Sequence, residues 1–339
     1  MATVTDPRPT RRSTPVDPDV DLHDPVQRLE LVTRPWLLPV VAAGGVMGAS
    51  ARHGIEVWWP PAGGGFPWAT FVTNVAGCLL MGALMVVVVD GGPRHPLLRP
   101  FAGVGLLGGF TTMSTYAVGA EALQRSGHGL TAVGYLLATV LAAVPAVLAG
   151  DRLTRAIRRR FARPPGQGGA AQWIRDGTPH ISGVLILPVA LIGVGFAAPV
   201  VGLFTGAGAG AWWVAVGAVL GAPGRYLTDR AVQARHDTFM PWGTLSVNMI
   251  GSLLLGAVAS QLASAPPGGL FGLPTDTAAS VALLVGTGFC GSLTTWSTAG
   301  YEIVALARRG EGTYAVLYAV VTPLAVLGAA GVGFAIGAA

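Results

Sequence analysis

Two copies of a hydroxyl-rich motif, Gly-x-x-Thr-Thr-x-Ser-Thr, lie within long apolar stretches of the chain. Hydroxyls in such stretches can accompany close helix packing through glycine, or bond to the carbonyls of their own helix. They can also mark a helix break that lines an ion path. Because the motif occurs twice, we favour two breaks that meet at the middle of a membrane. The motif residues are Gly108, Thr111, Thr112, Ser114 and Thr115 in the first copy and Gly291, Thr294, Thr295, Ser297 and Thr298 in the second.

The other polar residues that could act on a solute are few, and they are also paired. Asn74 and Asn248 each lie one turn before a glycine in an apolar stretch. Arg52 and Arg225 each end a stretch, where an arginine can also anchor a helix at the membrane surface. Glu302 falls towards the end of its stretch, so the mid-membrane carboxylate that ion-coupled transporters usually need is not evident.

Composition excludes most soluble classes of protein. Hydrophobic residues make up 52% of the 339 residues and charged residues only 11%, against about 25% charged in a soluble domain. All 21 basic residues are arginine and concentrate in a few loops, so nucleic acid is not an expected partner. No nucleophile with an adjacent base is apparent, so an enzyme is not expected. Cys78 and Cys290 predict neither a disulfide nor a metal site.

Nine apolar stretches approach the roughly 20 residues that a membrane-spanning helix needs. They lie near 36–54, 67–89, 97–122, 130–150, 182–203, 212–227, 240–262, 278–304 and 313–337. The predicted domains are a disordered cytoplasmic tail at 1–34, a four-helix repeat at 35–150, an Arg-rich loop and linker helix at 151–211, and a second four-helix repeat at 212–339.

Basic loops alternate with loops that carry little positive charge. The N-terminal tail, the 90–99 loop and the 151–180 linker carry arginines, whereas the 55–66 and 263–277 loops carry none. Basic loops of membrane proteins stay in the cytoplasm. We therefore expect a multi-pass protein of the cell membrane with its N-terminus in the cytoplasm and, after nine crossings, its C-terminus outside.

Spans one to four recur as spans six to nine. PWATFVTNVAGCLLMG at 67–82 aligns with PWGTLSVNMIGSLLLG at 241–256, and GVGLLGGFTTMST at 103–115 aligns with GTGFCGSLTTWST at 286–298. The fifth span has no counterpart, and one extra crossing inverts the second repeat. The sequence therefore predicts an all-α integral membrane protein of about nine helices in a 4+1+4 order, with antiparallel inverted repeats and a broken third helix in each.

The repeated blocks resemble those of a known family. G-x-x-x-G-A-x-x-R, P-W-x-T-x-x-x-N-x-x-G and G-x-x-x-x-T-T-x-S-T are similar to the blocks of the fluoride-channel family called Fluc or CrcB. Members of that family are usually four-span subunits that pair as antiparallel dimers. The resemblance covers about 35–150 and 212–337, which implies a single fused chain equivalent to a family dimer. It also implies a passive channel that exports fluoride.

The resemblance implies one cofactor, a structural sodium ion at the centre of the molecule. Backbone carbonyls at the third-helix breaks would hold it, at Gly108, Thr111, Gly291 and Thr294. Such carbonyls are hard oxygen ligands, and a fixed cation would offset the repulsion between anions. Close helix packing is the alternative explanation for the two glycines.

Further roles implied by the resemblance fall on the paired Asn and Arg residues. Asn74 and Asn248 would donate amide hydrogens to fluoride, and the alternative is that each amide joins two helices. Arg52 and Arg225 would line aqueous vestibules and attract anions, and the alternative is a surface anchor.

Fluoride is a small, strongly hydrated acceptor, so a pore has to replace its water with hydroxyls, amide N–H groups and the positive edges of aromatic rings. The motif hydroxyls and four residues of the fourth spans are expected to line such a track. The expected pore residues are Asn74, Thr112, Met113, Ser114, Thr115, Tyr116, Tyr135 and Thr139 in the first repeat and Asn248, Thr295, Trp296, Ser297, Thr298, Tyr318 and Thr322 in the second.

The two repeats depart differently from the family's aromatic pattern, T-T-F-S-T-F. The first repeat has Met113 and Tyr116 at the ring positions, and the second has Trp296 and Ala299. In the family, each of two pores draws its ring pair from opposite subunits. One pore would therefore receive Tyr116 and Trp296. Only this pore is expected to conduct, because Met and Ala supply no ring edge to the other.

The main alternative is a small-solute or multidrug exporter, whose small dual-topology members also have four spans. Such an exporter would carry a glutamate in its first span, and neither 36–54 nor 212–227 contains one. A purely structural membrane protein is a second alternative, but it would leave the paired Asn residues and the Thr-Thr pairs without a purpose.

Overall fold

Every regular element in the described part of the chain is a helix, so the predicted all-α fold is confirmed. The structure is a computed structural model that describes residues 30–90, 97–161, 208–236, 240–263 and 275–339. The first 29 residues and the expected linker span at 182–203 lie outside the described residues. The count of nine helices and the domain boundaries therefore stay predictions.

Each repeat contains four helices in chain order. The first, second and fourth are long and continuous, and the third is broken into two parts. The helices are α1 (Leu37–Trp58), α2 (Trp68–Asp90), α3 (Ser114–Arg125) and α4 (Gly129–Phe161) in the first repeat, and α5 (Gly208–Gln233), α6 (Trp242–Ala263), α7 (Ser297–Arg309) and α8 (Gly312–Ala338) in the second. Two π-helical segments, π1 (Arg99–Leu107) and π2 (Ala282–Cys290), each continue into a single α-helical turn, Gly108–Phe110 or Gly291–Leu293. Short helices at Glu30–Thr33 and Thr275–Val281 complete the described elements.

Five helical segments of the described residues are long and apolar enough to cross a membrane. They are Trp68–Val89, Gly129–Arg160, Trp242–Ala263, Thr277–Arg309 and Gly312–Ala338. The prediction of a multi-pass membrane protein is confirmed.

Helix α4 continues eleven residues beyond the expected end of its span at residue 150. Asp151 stabilises this extension through Arg155, one turn later, at 3.2 Å. The Arg158 guanidinium donates to the Val86 carbonyl at the end of α2 (3.1 Å). Arginines in a last turn also interact favourably with the helix dipole. The start of the expected Arg-rich loop is therefore helical.

Equivalent glycines separate the third and fourth helices. Gly127 and Gly310 have φ angles of 82° and 89°, a conformation that glycine adopts without a steric penalty. The Glu311 N–H donates to the Leu306 carbonyl (3.0 Å), and the His128 N–H to the Leu123 carbonyl (2.8 Å). These bonds close the end of each helix, and the next one starts within a few residues.

The first helices of the two repeats run antiparallel. Leu37, at the start of α1, lies in one apolar cluster with Tyr226 of α5. Ala49, more than three turns later in α1, lies in another cluster with Val214, which precedes Tyr226 by twelve residues. Residues later in α1 therefore contact residues earlier in α5. The predicted inversion of the repeats is therefore present within the described residues.

The broken helices exchange partners between the repeats. Helix α3 packs against α6 and α8 of the second repeat, and α7 packs against α2 and α4 of the first. The two breaks consequently lie side by side at the centre of the bundle. The core that surrounds them contains Met113 and Tyr116 of the first repeat and Trp296 and Ala299 of the second.

Within each repeat, the second and fourth helices touch backbone to backbone through glycine. A Cβ atom on Gly82 would overlap the Val147 carbonyl oxygen, and one on the equivalent Gly256 would overlap that of Ala330. Small residues allow this close approach of membrane helices. The contact holds α4 against α2, which carries Asn74.

We expect Gly82→Ala to lower the free energy of unfolding by about 2 kcal/mol, because the added methyl group must push two backbones apart. Gly328→Ala is the matched control, since a Cβ atom at Gly328 meets no atom within 4 Å. Unfolding in detergent, followed by circular dichroism, compares the two variants. Equal stability would contradict the proposed close contact.

Candidate functional site

The two breaks cap each other's helices. The Thr111 hydroxyl oxygen accepts hydrogen bonds from the backbone N–H groups of Trp296 (3.3 Å) and Ser297 (3.2 Å) at the start of α7. The Thr294 hydroxyl oxygen likewise accepts bonds from Met113 (3.2 Å) and Ser114 (3.1 Å) before and at the start of α3. A helix start needs such acceptors. The first threonine of each motif therefore supplies the acceptor to the opposite repeat.

Backbone geometry at the first threonine explains why the helix stops there. Thr111 is extended, with φ −98° and ψ 152°, and Thr294 is extended, with φ −97° and ψ 156°. Extended backbone suits a β-branched residue. The Thr111 hydroxyl also donates to the Leu107 carbonyl, one turn back (3.0 Å). That hydroxyl therefore joins the end of one helix to the start of another.

The second threonine of each motif caps its own helix, and an asparagine fixes its peptide group. The Thr115 N–H donates to the Thr112 hydroxyl (3.2 Å). The Asn74 amide donates to the Thr112 carbonyl (3.0 Å), and its oxygen accepts from the Thr112 N–H (2.9 Å). Asn248 makes the same two bonds to Thr295, at 3.2 and 2.8 Å. Both asparagines therefore hold the breaks in place.

The serines complete two equivalent hydroxyl networks at the centre. The Ser114 hydroxyl donates to the Cys290 carbonyl, and the Ser297 hydroxyl donates to the Leu107 carbonyl, both at 3.3 Å. Thr112 lies 3.2 Å from Thr294 between their hydroxyl oxygens. Thr115 is half-buried and the other motif hydroxyls are buried. The bonds join the motif hydroxyls into two equivalent groups, each with the first threonine of one repeat and three hydroxyls of the other. Their role as pore residues stays a prediction.

We expect Thr111→Val to lower the free energy of unfolding by about 1–2 kcal/mol, because it leaves two N–H groups of the opposite repeat without their cap. Thr111→Ser keeps the hydroxyl and is expected to lose less than half as much. Denaturation of the two variants and the unaltered protein in the same detergent measures the difference. If valine and serine had equal effects, the loss would come from packing and not from the cap.

The paired arginines are buried at the contact between the repeats. Arg52 is 0% exposed and Arg225 is 1% exposed. The Arg52 guanidinium donates to the carbonyls of Gly109 (3.3 Å) and Thr287 (2.8 Å), the second of which belongs to π2. Arg225 donates to the Val104 carbonyl of π1. Each arginine therefore binds the opposite repeat, and its role in attracting anions stays a prediction.

One side of the centre carries a continuous series of aromatic rings. The Trp296 ring lies 5.2 Å from the Tyr116 ring at an interplanar angle of 87°. Tyr116 lies 5.3 Å from Tyr135, and Tyr135 lies 5.4 Å from Phe66. Phe66 contacts Trp68 near the start of α2. We call Phe66, Tyr135, Tyr116 and Trp296 the ring series. It joins a break of the second repeat to the first repeat's loop at Phe66.

The equivalent positions of the other side lack most of these rings. Met113, Ala299 and Met240 occupy the places of Trp296, Tyr116 and Phe66. Tyr318 matches Tyr135, but its hydroxyl donates to the buried carboxylate of Glu302 (2.7 Å). We call Met113, Ala299, Met240, Tyr318 and Glu302 the methionine side.

One family model matches two segments of the sequence. The family model described as "CrcB-like protein, Camphor Resistance (CrcB)" matches residues 39–151 and again residues 212–334. Those segments cover more than half of the chain and coincide with the two inverted repeats. The chain belongs to the CrcB family.

Individual relatives match about a third of the chain, which is close to the length of one repeat. "Fluoride-specific ion channel FluC 2" of Nocardia farcinica is 52% identical over 121 residues, which are 36% of this chain and 86% of the relative. "Fluoride-specific ion channel FluC 1" of Streptomyces coelicolor is 50% identical over 115 residues, 34% of this chain and 75% of the relative. No solved structure matches the chain. Two repeats in one chain thus correspond in length to two such relatives.

The two CrcB repeats also differ in their fourth helices. The Thr139 hydroxyl donates to the Tyr135 carbonyl (2.8 Å). The hydroxyl of Thr322, its equivalent, is buried and has no hydrogen-bond partner among the described residues. The two hydroxyls expected to line the pores therefore differ in whether they are already bonded.

Two residues of this CrcB site, Phe66 and Thr244, were absent from the sequence-based expectations, and a third, Glu302, was not expected to be buried. Phe66 belongs to the ring series, and Glu302, expected near a span end, is fully buried. The Thr244 hydroxyl donates to the other oxygen of Glu302 (2.6 Å). The repeat alignment contained the signal for two of them, because it pairs Phe66 with Met240 and Thr70 with Thr244.

Proposed function

We propose that the chain is a fluoride-selective passive ion channel that exports cytoplasmic fluoride and relieves its toxicity. Family membership and the names of the relatives support fluoride as the ion. The observation in this chain that carries the proposal is the ring series from Phe66 to Trp296. Ring edges are positive and can replace water around a small anion. The protein is a transport protein and not an enzyme.

The two sides of the centre favour a single conducting path. On the ring-series side, Tyr116 and Trp296 come from opposite repeats and meet edge to face. On the methionine side, Met113 and Ala299 offer no ring edge, and the hydroxyls of Tyr318 and Thr244 are already bonded to the buried Glu302. An anion passing there would meet a weaker set of donors. Fluoride therefore crosses along the ring series.

A central sodium ion fits the released carbonyls of the breaks. In an unbroken helix, the Gly108 carbonyl would accept from the Thr112 N–H, which instead donates to Asn74. The Thr111 carbonyl would accept from the Thr115 N–H, which instead donates to Thr112. Gly291 and Thr294 occupy the equivalent places. Such oxygens are ligands for a hard cation, which would supply a fixed positive charge between the repeats.

We expect removal of sodium to inactivate the channel. Protein purified in N-methylglucamine chloride should lose most of its fluoride flux and should unfold at a lower temperature, and sodium should restore both. Potassium at the same concentration controls for ionic strength. Equal flux and stability in all three salts would exclude the ion from the mechanism.

The distribution of arginine supports a cytoplasmic N-terminus and an external C-terminus. Arg308 of α7 binds Asp151 of α4 through two bonds of 3.0 and 2.6 Å, so these helix ends lie together with the arginines that follow Asp151. Arg125 of α3 lies at the opposite end, over the Phe334 ring at 4.7 Å. Basic ends stay in the cytoplasm of a cell membrane.

Fluoride efflux from proteoliposomes tests the proposed function. Valinomycin sets the membrane potential, a fluoride electrode follows efflux, and chloride is measured for comparison. Potential-driven fluoride efflux without chloride flux is expected. No efflux from folded, inserted protein would contradict the proposal.

A further inference from the structure

The indole N–H of Trp296 is a buried hydrogen-bond donor without a partner among the described residues. Trp296 is 1% exposed, so water does not cover this N–H. The other polar groups of the residue are bonded: its main-chain N–H donates to Thr111 (3.3 Å), and its carbonyl accepts from the Cys78 thiol (3.7 Å). Only the indole donor is left over. Buried donors are rarely left unpaired, because an unmade bond is costly.

Neighbouring residues of the ring series do not satisfy this donor. Tyr116, whose ring meets that of Trp296, uses its hydroxyl to donate to the Leu136 carbonyl (3.0 Å). The surrounding cluster is made largely of Ala, Val, Leu and Met side chains. The Tyr135 hydroxyl of the ring series is likewise buried without a partner among the described residues, and a lone water would need two to four polar partners to bind there. An anion that arrives by itself is a better match, because it needs donors only.

The equivalent position shows that the fold does not require this donor. Met113 stands where the pseudo-two-fold axis places Trp296, and it is equally buried. An apolar side chain therefore fits the break of the first repeat without leaving a polar group unpaired. A tryptophan in the second repeat adds one N–H to the ring series and to no other path.

We propose that the indole N–H of Trp296 donates a hydrogen bond directly to fluoride and makes this residue a specificity determinant of the ring-series path. The inference rests on the proposed function, because it names a ligand of the same path. Fluoride accepts hydrogen bonds strongly, and a fixed donor in a dry site favours it over the larger chloride ion. Ring edges alone would provide a weaker and less directional contact.

Trp296→Phe tests the inference, because it keeps a ring and removes only the N–H. Fluoride efflux is expected to fall roughly tenfold or more, as for the loss of a hydrogen bond to a charged group. The ratio of fluoride to chloride flux is expected to fall as well. Trp242→Phe is the matched control, since Trp242 lies at the start of α6 with 40% of its surface exposed. Unchanged efflux and selectivity in Trp296→Phe would overturn the inference and leave the channel function intact.

Nuclear magnetic resonance provides a readout that does not depend on conduction. In protein with ¹⁵N-labelled tryptophan, the indole signal that disappears in Trp296→Phe belongs to Trp296. Sodium fluoride is expected to move this signal downfield, whereas sodium chloride is not. A fluoride shift in protein that fails to conduct would uphold the binding site and reject the channel function. An unmoved signal at saturating fluoride would overturn the inference even if the protein conducts.

Discussion

Replacing Tyr116 by alanine and Trp296 by methionine in one protein is expected to reduce fluoride efflux at least a hundredfold. This double variant gives the ring-series side the side chains that Ala299 and Met113 already place on the other side. The replacement removes the meeting of two rings at 5.2 Å, and with it the donors that substitute for water around the ion. Loss of a preorganised donor set commonly costs a factor of about 10²–10³ in function.

Met113→Ala is the matched single control, because Met113 is the pseudo-symmetric equivalent of Trp296. We expect it to keep at least half of the efflux, since the methionine side contributes little to conduction. Both proteins are compared by gel filtration and by thermal unfolding, so that loss of fold is separated from loss of flux. Full efflux from the folded double variant would mean that the ring pair does not define the conducting path.

Much of the architecture could be predicted because it depends on local patterns. Apolar length predicts spans, and an alignment of 67–82 with 241–256 predicts a repeat. The break at Thr111 could be predicted as well, since two hydroxyl residues after glycine compete with the helix backbone. The continuation of α4 beyond residue 150 could not be predicted from apolar length, because the bond from Arg158 to Val86 joins residues 72 positions apart.

The partners of the polar residues could not be predicted from spacing. Arg52 was expected in a vestibule, yet its guanidinium reaches a carbonyl of the opposite repeat at Thr287. Which carbonyl it meets depends on how α1 and α5 pack, and helical spacing does not encode that. For the same reason Asn74 could be identified as a buried donor, whereas its two bonds to Thr112 could not. The pairing of Tyr116 with Trp296 was predicted from the family resemblance, and the two rings do meet.

Arg52→Lys is expected to lower the free energy of unfolding by about 3 kcal/mol. The Arg52 guanidinium bonds to Gly109 (3.3 Å), Thr287 (2.8 Å) and Glu56 (3.1 Å) through three different nitrogen atoms. A lysine ammonium keeps the charge but is a compact group that cannot reach three acceptors spread around a planar fork. Each lost bond to a charged donor contributes about 1.5–3 kcal/mol, and at least one carbonyl is left buried without a partner.

Chemical denaturation in detergent micelles measures this loss, and Arg125→Lys serves as the control. Arg125 also pairs with a glutamate one turn away (2.8 Å), but 53% of its side chain is exposed, so a change of less than about 1 kcal/mol is expected. Measuring fluoride flux as well as stability also distinguishes two possible roles of Arg52, attraction of anions and contact between the repeats. If Arg52→Lys were as stable as the unaltered protein and lost only fluoride flux, the residue would serve to attract anions. If stability and flux fell together, the guanidinium would serve first to hold the two repeats in register.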